Sequence, residues 1–344
     1  MKALVKTMWK PGAMEIRDVE KPSIGPDEVL IKVNYVGICG TDLEIYRATS
    51  PIPIELPRIL GHEFSGVVTE VGEEVTDVKI GEKVVSETGV VCRRCIFCKT
   101  GRQNLCPYRS PIGIGRDGAF AEYVKAPSIN IHKIPSNVSL KEAALTEPLS
   151  VASHAVIERS GIRAGDTVAV IGAGAIGLLI LECAAVAGAG KILVSGRHEN
   201  RLEVAKNLGA DLTVNERKEN PVDKAMELTN GLGVDIVYEA TGNPKAVEQA
   251  VSMTKKGGKV VLVGVHSKPL ERFNIHNIVS NEKNILGCWT HTSSTWDLAL
   301  SLLSTGKVKA DPIITHVLPL EEFEKGFNLL GTREAIKVLM KPNP

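Results

Sequence analysis

The stretch Thr167-Val-Ala-Val-Ile171, followed by Gly172-Ala-Gly174-Ala175-Ile176-Gly177 and an apolar run to about Ala187, constrains the fold most. It reads as a buried strand, a tight turn and a helix. In that setting the three glycines allow the sharp turn, close approach of backbone to a pyrophosphate, and close packing of helix on sheet. Unpaired N–H groups at the helix start favour the anion. A second strand, Lys191-Ile-Leu-Val-Ser195, follows at the expected interval. The pattern then predicts a helix over 199–208, strands over 211–214 and 234–238, a helix over 244–254 and a strand over 258–264. Alternation of this kind implies α/β architecture, with a doubly wound parallel sheet covered on both faces. Thr167 to Gly190 is also the longest weakly charged stretch, but Glu182 interrupts it. The strand–turn–helix reading therefore predicts no membrane span.

A chain of 344 residues exceeds one ordinary core and predicts two domains. The dinucleotide-binding unit accounts for about 151–290. Residues 1–150 instead carry β-rich alternation (Ala3–Val5, Glu28–Val36, Gly66–Val71, Lys83–Ser86, Phe120–Val124). Beyond 291, a helix over 296–305 and a strand over 336–339 are expected. Lys plus Arg total 41 against 40 Asp plus Glu, so the basic excess expected of a nucleic-acid binder is missing. The N-terminal stretch has no apolar signal-like run, and a cytoplasmic protein is expected.

Four of seven cysteines form Cys92-x2-Cys95-x2-Cys98-x7-Cys106. Such short spacers let the chain wrap one ion, and four thiolates fill a tetrahedral zinc site with no open position. That predicts a structural metal; an iron–sulfur cluster, a redox pair or unconnected thiols are the competing readings. The odd cysteine count argues against a disulfide framework. A second constellation is more dispersed: Cys39 in Gly37-Ile-Cys39-Gly-Thr41-Asp42, His62-Glu63 in Gly61-His-Glu-Phe-Ser-Gly66, and Glu147 before Pro148. A thiolate, an imidazole and a carboxylate suit a zinc that keeps a position open for a reacting oxygen.

GICGTD, GHEFSGVV, the four-cysteine lobe, DGAFAEYV (117–124), TEPLSVASHA (146–155) and VIGAGAIG (170–177) occur here in one order. Together they resemble the zinc-dependent medium-chain dehydrogenase/reductase family, from residue 1 to about 340. Glu147 in EPLSV is similar to the polyol (sorbitol-type) and threonine dehydrogenase branch. The resemblance implies a GroES-like catalytic domain over 1–150, a Rossmann domain over 151–290, and a return to the catalytic domain over 291–344. The active site is then expected in the cleft between domains. It further implies two zinc ions per chain, the catalytic one held by Cys39, His62 and either Glu63 or Glu147. Thr41 would hydrogen-bond the substrate oxygen, and Asp42 would orient the His62 ring. Where the family's proton relay commonly has histidine, this chain has Glu44, so either Glu44 or a water takes that proton.

NAD-binding versions of the dinucleotide fold place Asp or Glu at the end of the second strand to receive the ribose hydroxyls. This chain has Ser195-Gly196-Arg197-His198 there, and Arg201 follows. A missing acid and two nearby cations predict recognition of a 2′-phosphate, hence NADP(H) over NAD(H). Glu199 is the nearest carboxylate in sequence and is read as starting the next helix. By the same resemblance Thr241, Val263, Gly264, Val265, Cys288 and Trp289 lie beside the cofactor. Tyr46, Arg116, His291 and Trp296 are candidate substrate-pocket residues. The expected activity is hydride transfer between NADP(H) and a secondary alcohol or polyol, giving a ketone, in a homo-oligomer expected to be a tetramer. The alternatives are an NAD-dependent threonine or polyol-phosphate dehydrogenase, a zinc-free quinone-reductase-like enzyme, and a non-catalytic NADP-binding sensor. Retention of Cys39, Thr41, His62, Glu63 and Glu147 argues against the last two.

Overall fold

A computed structural model describes residues 1–266, 269–270 and 273–343. The chain divides into two compact units: 1–147, 292–306 and 310–344 form one, and 148–291 with 307–309 form the other.

The first unit is β-rich. Its largest sheet runs in the order Ile131–Lys133, Lys83–Ser86, Glu63–Val71, Glu28–Gly37, Lys337–Lys341, Ile314–Pro319, and Tyr123–Pro127 also pairs with Glu28–Gly37. Alternation along Glu28–Gly37 sends Val29, Ile31 and Val33 into a core shared with Leu4, Phe64, Phe120 and Phe327. A smaller cluster gathers Val85, Ile134, Val138 and Ala143 around Trp296 and Leu300 of the helix Ser293–Ser304. The C-terminal strand docks by pairing Leu339 with Gly37, while Gly37 pairs on its other side with Glu63. This register sets Lys337 and Glu63 on either side of one strand end.

The second unit is a six-stranded parallel sheet. Its order is Leu212–Asn215, Lys191–Gly196, Thr167–Ile171, Val234–Glu239, Thr254–Leu262, Asn284–Gly287. Strand order thus reverses after Thr167–Ile171, the arrangement that opens a nucleotide crevice at the carboxyl ends of the strands. Val168, Ala169, Val170 and Ile171 are all fully buried, as strands covered on both faces require. One helix that hydrophobic periodicity did not suggest, Pro221–Leu228, fills the crossover between Leu212–Asn215 and Val234–Glu239. Asn220 caps it by accepting the Val222 N–H, and proline occupies its first turn. The expected strand over Phe120–Val124 lies later, at Tyr123–Pro127, because Ala119 and Phe120 bond to the Gly61 and Leu60 carbonyls. No helix among the described residues is long and apolar enough to cross a membrane.

Candidate active site and nucleotide site

Cys39, His62 and Glu63 offer ligand atoms that all lie within 4.8 Å of one another. Cys39 precedes the short helix Gly40–Tyr46, and its backbone N–H donates to Asp42 Oδ2 at 2.9 Å. The other Asp42 oxygen faces His62 Nδ1 at 3.7 Å, and neither atom has a hydrogen-bond partner among the described residues. Asp42 is fully buried and His62 nearly so. Burial opposes the imidazolium, but Asp42 and Cys39 outweigh it and hold the His62 pKa well above its ordinary value. Burial raises the Asp42 carboxyl as well.

Glu63 is anchored from the other side. Its Oε2 accepts from Lys337 Nζ at 2.5 Å, and the same ammonium donates to the Ile38 carbonyl at 3.2 Å. Both side chains are about as buried as the core. Gly37 lies beneath this bridge: a Cβ there would overlap the Glu63 carboxylate and sit 3.3 Å from its Cβ. Glycine is what lets the carboxylate cross the strand end to Lys337. Glu147, in the first turn of Thr146–Ser153, lies outside the group of three ligands. Burial pushes its carboxyl up to about 7, against the pull of His62, Lys337 and Arg109.

This donor set fits a zinc ion. A soft sulfur, a nitrogen and an oxygen converge in a buried spot, and Asp42 is aimed at the imidazole nitrogen as such sites require. Thr41 lies in the first turn of Gly40–Tyr46 and is half-buried. Glu44 follows on the same helix, and burial raises its carboxyl pKa. Of the pocket candidates, Tyr46 stacks on Phe327 with ring centroids 4.6 Å apart. Arg116 lines a 580 Å³ cavity with Arg58 and Lys125, and His291 is buried. Trp296 is corrected: it is 1% exposed, packed among Val85, Ile134 and Leu300 and stacked on His132, so it builds core instead of lining a pocket.

Cys92, Cys95, Cys98 and Cys106 also bring their sulfurs within 4.8 Å of one another. The Cys95–Cys98 and Cys92–Cys106 sulfur separations are 3.5 and 3.6 Å. A tetrahedron with Zn–S of about 2.3 Å has edges of roughly 3.8 Å, so the four thiols are already spaced for zinc. Arg93, at φ 56°, makes the turn between the first pair and donates to Asn130 Oδ1 at 2.7 Å. A backbone N–H from Arg94 lowers the Cys92 thiol to about 6, whereas burial raises Cys98 to about 12.

In the second unit, Gly172 has φ 109°, and a Cβ on Gly177 would collide with the Gly172 carbonyl oxygen. The helix Ala175–Val186 therefore starts hard against the strand end, with Ala175 and Ile176 in its first turn. The Thr241 methyl group lies where a Gly172 Cβ would go, and its hydroxyl donates to buried Glu239. Val263 and Gly264 donate to the Glu239 carbonyl at 2.9 and 3.0 Å, and Cys288 donates to the Leu262 carbonyl at 2.9 Å. Val265 and Trp289 are exposed at the same carboxyl-end edge.

At the end of the second strand, Gly196 is buried under Ala173 and Leu202, and Arg197 points outward. Arg201 is 8% exposed, and its guanidinium lies 4.0 Å from where a Gly174 Cβ would be. Glu199 is held by Asn215 and Lys218. The carboxylate beside Arg197 is one that sequence reasoning missed: Glu216, whose Oε2 lies 3.3 Å from Arg197 Nε. Only strand pairing brings it there from nineteen positions away.

The zinc-binding dehydrogenase family model matches residues 175–305, and the alcohol dehydrogenase GroES-like domain matches 25–136. The chain is 39% identical to L-threonine 3-dehydrogenase of Bacillus velezensis and 37% to sorbitol dehydrogenase of Halalkalibacterium halodurans, each over 99% of both chains. A solved zinc-binding dehydrogenase of Sinorhizobium meliloti, bound to NADP, superposes with a TM-score of 0.93 at 34% identity over 99% of both chains. The chain therefore belongs to the zinc-dependent medium-chain dehydrogenase/reductase family, in its polyol and threonine dehydrogenase branch, and is an alcohol/polyol oxidoreductase.

Proposed function

We propose that the protein interconverts a secondary alcohol or polyol and its ketone, with NADP(H) preferred over NAD(H). The observation that carries the cofactor reading is the end of the strand Lys191–Gly196, where Gly196 supplies no carboxylate and Arg197 and Arg201 follow. Arginine forks bind phosphate through paired, charge-assisted hydrogen bonds, whereas an acid there would repel it.

Cys39, His62 and Glu63 would hold the catalytic zinc, with Glu147 close by. When bound, the ion supplies Lewis acidity that lowers the pKa of a substrate hydroxyl. Asp42 faces the imidazole of His62, and Lys337 holds one oxygen of Glu63, which would leave the other for the ion. In this reading the Thr41 hydroxyl would receive the substrate proton, and the Glu44 carboxylate on the same helix, or a water, would take it on. The Cys92–Cys106 lobe would take a second, structural zinc. Assembly as a cytoplasmic homotetramer belongs to the same reading and rests on family resemblance.

The test is a panel of polyols, diols, threonine and phosphorylated polyols, each with NADP⁺ and with NAD⁺, followed by absorbance of the reduced cofactor. Turnover of at least one secondary alcohol with ketone formation is expected. Absence of turnover across the panel by zinc-replete protein would overturn the reading in favour of a nucleotide-binding sensor.

A further inference from the structure

Glu216 follows the strand Leu212–Asn215, and its N–H donates to the Gly196 carbonyl at 2.8 Å. Its side chain is only 13% exposed. One carboxylate oxygen accepts from Ser195 Oγ at 3.3 Å and the other from Arg197 Nε at 3.3 Å. Arg197 itself is 56% exposed. The tether therefore uses one of its five N–H groups, and among the described residues the terminal pair has no partner. Glu199, the alternative acid, pairs with Lys218 and accepts from Asn215.

We propose that Glu216 is a specificity-determining residue of the nucleotide site: it offsets the charge of Arg197 and so weakens discrimination for the 2′-phosphate, admitting NAD(H) alongside NADP(H). The inference rests on the reading in which Arg197 faces the adenosine ribose. Two effects of the carboxylate oppose each other. Holding Arg197 in place helps phosphate binding, while negative charge near the phosphate hinders it. The first is one long contact to a half-exposed side chain, and such pairs contribute little. The second acts in every conformation; a carboxylate about 7 Å from a dianionic phosphate in a water-like medium weakens binding roughly three- to tenfold. Charge wins.

The experiment measures binding of adenosine 2′,5′-bisphosphate and of AMP, which lacks the 2′-phosphate, to the zinc-loaded full chain. Glu216→Gln should bind the bisphosphate three- to tenfold more tightly and AMP within twofold of wild type. Unchanged or weaker bisphosphate binding would overturn the proposal, as would an equal change for AMP. Arg197→Ala separates the two levels. If it leaves bisphosphate affinity intact, the NADP reading fails and takes the proposal with it. If it weakens the bisphosphate while Glu216→Gln does not tighten it, the role of Glu216 alone is refuted.

Discussion

Replacing Lys337 by methionine is the sharpest test of how the metal centre is built. Lys337 is 4% exposed and Glu63 1% exposed, and they pair at 2.5 Å in the interior. Methionine fills the space but leaves a buried carboxylate without its partner. Breaking such a pair costs about 3–5 kcal/mol, far more than losing a surface pair. The Lys337 pKa is raised by Glu63 and Cys39 despite burial. By linkage, the pair's stabilisation is fully present below the unfolded lysine value and lost only as pH rises through the raised folded value. The loss in the variant should therefore be the same at pH 7 and pH 9. A zinc ion beside Glu63 supplies positive charge that Lys337 no longer does, so the penalty should be smaller in zinc-loaded than in chelator-stripped protein. Urea unfolding of both forms measures it, with Lys337→Arg expected to recover most of the loss. A stripped Lys337→Met protein within about 1 kcal/mol of wild type would refute the claim that this pair fixes Glu63.

Three further outcomes are expected. Cys98→Ser should lower the melting temperature and remove one zinc by elemental analysis, since the lobe takes its order from the ion; lost turnover with unchanged stability and metal content would contradict a structural role. His132 is held between Glu87 and Asp297, which raise its pKa although burial opposes them. Its contribution is fully present below about 6.5 and lost as pH rises through the raised folded value, so His132→Gln should cost more stability at pH 6 than at pH 9.5; equal melting-temperature losses at both would contradict this. Gly196→Asp with Arg197→Ser should reverse the cofactor preference in initial-rate assays, the new Cβ meeting Ala173 and Leu202 at 3.3 and 3.4 Å, which a few tenths of an ångström of movement accommodates. An unchanged ratio would show that this strand end does not read the ribose.

The parallel sheet was legible because period and punctuation agree: buried strands, a glycine turn and an apolar helix recur in the chain. Pro221–Leu228 spans only eight residues, too few for its apolar positions to declare a period, although Asn220-Pro221 carries a helix-start signal. Clustered cysteines announce a candidate metal lobe through local spacing alone. Lys337 and Glu216 could not be read that way. Their chemistry depends on strands paired across hundreds of residues in one case and nineteen in the other; a glutamate beside Arg217 and Lys218 looks solvated, and a lone lysine in the apolar run from Ala335 to Met340 shows no partner, until the register is known. Trp296 misled for the converse reason, since an aromatic near a helix start serves core and pocket equally well in sequence.

The most direct test of the account is the ratio of kcat/KM for NADP⁺ and NAD⁺, measured on the zinc-loaded wild-type chain with one saturating secondary alcohol. The strand end formed by Gly196 and Arg197 predicts a ratio above one, held to a modest value by Glu216. A ratio below one would contradict the assignment of Arg197 to the 2′-phosphate.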